Sequence, residues 1–79
     1  MKIEMNLYAS LSRYAPDRSS GKRFVMEITE GTKIRDLLAQ MKVPKEAVKI
    51  IFVNGVHASG DATLQDGDRL GIFPPVAGG

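Results

Sequence analysis

Apolar residues in this 79-residue chain alternate in twos along most of its apolar stretches. Only one stretch carries a full helical stripe: Ile34, Leu37, Leu38 and Met41, at i, i+3, i+4 and i+7. Lys33, Arg35, Asp36 and Gln40 take the wet side of that turn pattern. A single apolar helix face can cover one face of one sheet. The arithmetic of periods therefore predicts a two-layer α+β architecture, one main helix across a mixed sheet of four or five strands.

The strands follow from alternation. Ile3, Met5 and Leu7 point one way, with Lys2, Glu4, Asn6 and Tyr8 opposite. Phe24, Met26 and Ile28 repeat the pattern, so the two segments form a widened hairpin. Between them, Ala9 to Ala15 offers a helical turn or two that Pro16-Asp17 stops, and Arg18 to Lys22 is a polar loop. Thr32 is the expected N-cap of the helix, and Val43-Pro44 its expected end. Pro44 to Val48 can add a further turn. Ile50 to Val53 is uninterrupted and reads as a strand buried on both faces. Asn54-Gly55 signals a tight hairpin into Val56-His57. Leu64 to Asp68 is a turn before the last strand, Arg69 to Phe73, where Leu70 and Ile72 face the core and Phe73 faces away. No repeat or linker divides residues 1–79, so one domain is expected.

Composition removes several functions. There is no cysteine, hence no disulfide framework, thiolate metal site or cysteine nucleophile. No Gly-x-Gly-x-x-Gly or P-loop run is present, so no phosphate cradle is encoded. His57 has no acid–base partner nearby in sequence and reads as an edge-strand residue. Asp66-Gly67-Asp68 is more economically a turn than a cation site, and no metal is expected. Residues 1–49 carry ten Lys/Arg against six Asp/Glu, but acids interleave with them and no stacking aromatics do, so nucleic acid is not expected as a partner. The longest apolar run is too short for a membrane span, and the start lacks an apolar signal core, so the expected compartment is the cytoplasm.

The end of the chain differs from a polar fray. Pro74-Pro75 ends sheet pairing and stiffens the exit, and Val76, Ala77, Gly78 and Gly79 taper to a carboxylate with no side chain beside it. Such an arm suits a narrow channel in a partner, and its double glycine lets that partner's backbone close around it. An ionised carboxylate can attack an activated phosphate, but this chain has no groups to activate one. A carrier working through its C-terminus, not catalytic alone, is the natural reading. The arm is expected to be mobile until a partner orders it.

Leu7-Tyr8-Ala9-Ser10-Leu11, Glu30-Gly31-Thr32, Val53-Asn54-Gly55, Leu64-Gln65-Asp66-Gly67-Asp68 and the stretch Phe73 to Gly79 together resemble the ubiquitin-like sulfur carriers. These are the small subunit of molybdopterin synthase (MoaD) and the thiamine-biosynthesis carrier (ThiS). The resemblance implies a β-grasp fold and a shared chemistry at Gly79. An adenylating enzyme related to ubiquitin-activating enzymes uses ATP and magnesium to form an acyl-adenylate there, and a sulfur donor converts it to a thiocarboxylate. No cofactor is expected on the chain itself. Phe73, Pro74, Pro75, Val76, Ala77 and Gly78 are the implied partner-binding residues. The tail sequence looks most like the molybdopterin branch, which implies the synthase large subunit as acceptor. Thiamine or another sulfur pathway, or protein modification through Gly79, are the alternatives.

Overall fold

The computed structural model describes residues 1–15 and 23–75. The expected polar loop and the arm from Val76 to Gly79, with its expected mobility, lie outside the described residues.

Five strands form one mixed sheet: β1 (Lys2–Leu7), β2 (Arg23–Glu27), β3 (Ile50–Val53), β4 (Val56–His57) and β5 (Arg69–Phe73), in spatial order β2-β1-β5-β3-β4. The first and last strands of the chain lie side by side and parallel at the centre, and every other pairing is antiparallel. Helix α1 (Ile34–Gln40) is the connection that carries the chain across one face. This is the ubiquitin-like β-grasp arrangement, a five-stranded sheet holding one main helix.

The core lies between α1 and the sheet. Ile3, Met5, Leu7, Leu70 and Ile72 are buried on the strands, and Ile34, Leu37 and Leu38 on the helix. Phe24, Met26, Ile28 and Met41, expected beside them, are only partly buried and pack against that cluster. Leu11, Ala15, Val43, Ile51 and Leu64 complete it. Leu11 is delivered by a short 3-10 helix, Ala9–Tyr14, the helical turn expected between β1 and β2. Leu64 lies in the irregular segment before β5, where no periodicity announces it.

Both ends of α1 differ from expectation. Thr32 is not the N-cap: Lys33 occupies that position, and the Thr32 hydroxyl donates instead to the Thr29 carbonyl (2.6 Å). The first helical donors are met from elsewhere in the chain. Ile34 N–H reaches the Ala62 carbonyl at 3.0 Å and Arg35 N–H the Gly60 carbonyl at 2.9 Å. A side-chain cap is redundant once a neighbouring loop supplies acceptors for otherwise orphaned amides. At the other end the helix stops before the pre-proline position. Lys42 takes a left-handed conformation (φ 63°), its N–H meets the Ala39 carbonyl at 3.0 Å, and Val43 N–H meets the Leu38 carbonyl at 2.9 Å. That paired closure is a Schellman motif.

The turns at Asn54-Gly55 and Asp66-Gly67-Asp68 behave as their sequences predict. Asn54 and Gly55, at φ 54° and 82°, make the tight reversal between β3 and β4. In the turn before β5, the Asp66 carboxylate accepts from Lys2 N–H (2.7 Å), and the Asp68 carboxylate accepts from Gln65 N–H (2.8 Å) and the Asn54 side chain (3.0 Å). Asn54 in turn accepts from Arg69 N–H (2.9 Å), so both turns are tied to each other.

Candidate functional site

Among the described residues the sheet has one covering layer, and its second face is open. Strand β3 shows the consequence. The expectation of burial on both faces fails: Ile51 is buried, whereas Phe52 and Val53 are half-buried and Ile50 is exposed. With a single helix, only one of the two sides of an apolar strand can be covered.

On the open face, register places Arg23, Asn6, Gly71, Phe52 and His57 in one row across all five strands. The next row toward the chain exit holds Phe73 beside Ile50. Tyr8, just past β1, extends the sheet by donating its N–H to the Ile72 carbonyl at 3.1 Å. These positions build an aromatic cluster. Tyr8 and Phe73 stack with ring centroids 4.1 Å apart and an interplanar angle of 6°. Phe52 meets Phe73 edge-on at 5.7 Å, and His57 meets Phe52 in the same manner at 6.0 Å.

Gly71 forms the floor under these rings. A Cβ there would sit 3.5 Å from Tyr8 Cε2 and 3.6 Å from Phe73 Cε1, ordinary contact with both rings and nothing to spare for a longer side chain. The cluster borders a shallow depression of about 500 Å³ that continues over Asn54, Arg69 and Glu4. Its far rim is ionic: Arg23 lies 3.8 Å from Glu4. The lining of the depression thus grades from aromatic at the end where the chain leaves to charged at the opposite end.

Phe73 is both part of the cluster and the last residue of the ladder. Its carbonyl accepts from Lys49 N–H at 2.8 Å. Pro74 and Pro75 have no N–H to continue pairing, and the chain leaves the sheet there. Of the residues singled out from sequence, Phe73 lies on the open face, as alternation predicts, Pro74 is half-buried and Pro75 exposed. Val76, Ala77, Gly78 and Gly79 lie outside the described residues. His57 is an exposed edge-strand residue, as read from sequence.

Sequence reading missed the partners of Phe73. Alternation turns Tyr8 outward, as found, but the uninterrupted apolar run reads Phe52 into a strand buried on both faces, and no local period links Tyr8, Phe52 and Phe73 across 65 residues of chain. The available signal was alternation itself: Phe52 shares its parity with Ile50 and opposes Ile51. Among the described residues no three acidic or imidazole side chains converge on a cation position, and no helix is long and apolar enough to cross a membrane.

Comparison with known proteins supplies the context for this geometry. The ThiS family matches residues 10–79. Small archaeal modifier protein 3 of Haloferax volcanii is 34% identical, with all of both chains covered. A putative molybdopterin converting factor, subunit 1, from Pyrococcus furiosus is 28% identical over 95% of this chain and 98% of its own, with a TM-score of 0.68. SAMP1 from Haloferax volcanii shares the fold, at a TM-score of 0.71 and 20% identity over the whole of both chains. With the β-grasp topology and the matched length together, this chain belongs to the ThiS family of ubiquitin-like sulfur carriers and modifiers.

Proposed function

We propose that this chain is a sulfur carrier that acts through the carboxylate of Gly79. An adenylating enzyme brings ATP and magnesium; a carboxylate oxygen attacks the α-phosphate and pyrophosphate leaves. A sulfide-level sulfur donor then attacks the acyl carbonyl and AMP leaves, so a C–O bond is exchanged for C–S. The chain supplies the nucleophile and its delivery, and the enzyme supplies the charge stabilisation.

The observation that carries this reading is the double role of Phe73. It is part of the aromatic cluster and stands immediately before the arm, so a partner that seats the cluster also aims the arm. Six residues from Pro74 reach at most about 20 Å at roughly 3.3 Å each, so the seat sets where Gly79 can arrive. Phe73, Pro74 and Pro75 are then the docking base, and Val76, Ala77 and Gly78 the part threaded into the partner. For the acceptor, the likeness to a molybdopterin converting factor subunit supports the synthase large subunit.

A second reading has its own support, because the curated relative at 34% identity is a modifier protein. In that case a lysine amine of a target takes the activated carbonyl and an isopeptide bond forms. Incubation with the adenylating enzyme, ATP, magnesium and a sulfur source separates the two. Intact-mass spectrometry with fragmentation is expected to show one oxygen of Gly79 replaced by sulfur. Gly79 found joined to lysines, with no thiocarboxylate formed, would transfer the assignment to the modifier reading. Deleting Gly79 withdraws the carboxylate by about 3.5 Å. A displacement of about 1 Å can already cost on the order of a hundredfold in rate, so the truncated chain is expected to be inactive in either role while folding normally.

A further inference from the structure

β2 is the outermost strand on its side of the sheet, and among the described residues no strand lies beyond it. Its sequence is Arg23-Phe24-Val25-Met26-Glu27. Edge strands are commonly protected by a central charge or a proline. Here the centre is Val25, which is 65% exposed.

Hydrogen-bond parity shows which backbone groups this edge presents. Ile28 N–H donates to the Met1 carbonyl (2.8 Å) and Met1 N to the Ile28 carbonyl (3.0 Å), so these two residues form a mutually bonded pair. Bonded and non-bonded pairs alternate along an antiparallel ladder. By that alternation Met26 and Phe24 also direct their amides to β1, through their pairing with Ile3 and Met5. Arg23, Val25 and Glu27 therefore turn their N–H and C=O groups outward.

We propose that this edge pairs with the β2 edge of a second copy, antiparallel and centred on Val25. A two-fold axis at Val25 sets Val25 against Val25 of the other copy, Arg23 against its Glu27, and Glu27 against its Arg23. All three are outward-bonding positions, so each facing pair exchanges two backbone hydrogen bonds. Phe24 faces Met26 between them. Side chains follow the same logic. Lys2 already stands beside Glu27 within one copy. Pairing adds an arginine on the other side of that carboxylate, so charges alternate across the joint. The strand is self-complementary in charge, in apolar contact and in backbone parity, as a two-fold interface requires.

The joint buries one short strand edge on each side, which puts it among weak, concentration-dependent interfaces. β1 separates β5 from this edge, so pairing leaves Phe73, on β5, clear of the joint in both copies.

Sedimentation velocity over a concentration series up to about millimolar tests the proposal. The wild type is expected to dimerise, with amide exchange slowing at Arg23, Val25 and Glu27. Arg23→Glu alone, or Glu27→Arg alone, sets like charges opposite each other twice per dimer. With two unfavourable cross-strand pairs per dimer, each variant is expected to lose about tenfold in dimer affinity. Mixing the two variants restores opposite charges at both positions, and the heterodimer is expected to recover. Circular dichroism of each variant confirms that the monomer is folded. A wild type that stays monomeric throughout, or a mixture no tighter than its components, overturns the proposal.

Discussion

The two faces of this sheet are made by the same strands and differ in what covers them. On the helix side, Ile3, Met5, Leu7, Leu70 and Ile72 are closed off by α1, and burial there holds the fold. On the open side, Lys2, Glu4, Asn6, Arg69, Gly71 and Phe73 occupy the alternate positions, Val25 stands exposed on the β2 edge, and one corner is aromatic. That corner is where Tyr8, Phe52 and Phe73 meet, beside the exit of the arm. A thin two-layer protein cannot cover both faces. The difference teaches that apolar side chains left in water on the open face were not recruited to the core by proximity in sequence. Tyr8, Phe52 and Phe73 cluster beside the point where the chain leaves the sheet.

Substitutions can break this contrast. The largest effect is expected on the covered face. Leu37 is fully buried, and Leu37→Ala should cost about 2–5 kcal/mol, a large share of what a domain this small possesses; urea unfolding measures it. Phe73→Ala should cost less, about 0.5–1.5 kcal/mol beyond the lost area, because it removes one stacked and one edge contact on a half-open surface. Its binding to the adenylating enzyme should nevertheless fall at least tenfold by titration calorimetry. Full affinity with a collapsed fold would make Phe73 a core residue and erase the distinction. Gly71→Ala sharpens the comparison with the smallest change. Its new methyl makes ordinary contacts with Tyr8 and Phe73, so stability should be unchanged or higher by up to about 1 kcal/mol, with binding retained. Gly71→Val, by contrast, should part the stacked rings and lower affinity without unfolding the protein.

Much of the covered face was legible because it is written in local periods. The i, i+3, i+4, i+7 stripe names the helix and its buried side, and alternation names the core positions of β1 and β5. Asn54-Gly55 and Asp66-Gly67-Asp68 name turns through conformations that few residues adopt. The errors cluster where a distant segment intervened. Thr32 has the chemistry of an N-cap, yet the carbonyls of Gly60 and Ala62 take over that task from a loop some thirty residues away. Leu64 enters the core from an irregular segment with no period to betray it.

What the sequence determined by itself is the set of elements, the polarity of the two sides of β1 and β5 and the outward placement of Phe73, since these depend on neighbours two to four residues apart. The strand order, the exposure of Phe52's side and the union of Tyr8, Phe52 and Phe73 were decided only by tertiary structure. β5 must insert between β1 and β3 before those three rings can touch, and one helix must choose which face of the sheet it covers. Both are consequences of long-range pairing, which no local period records.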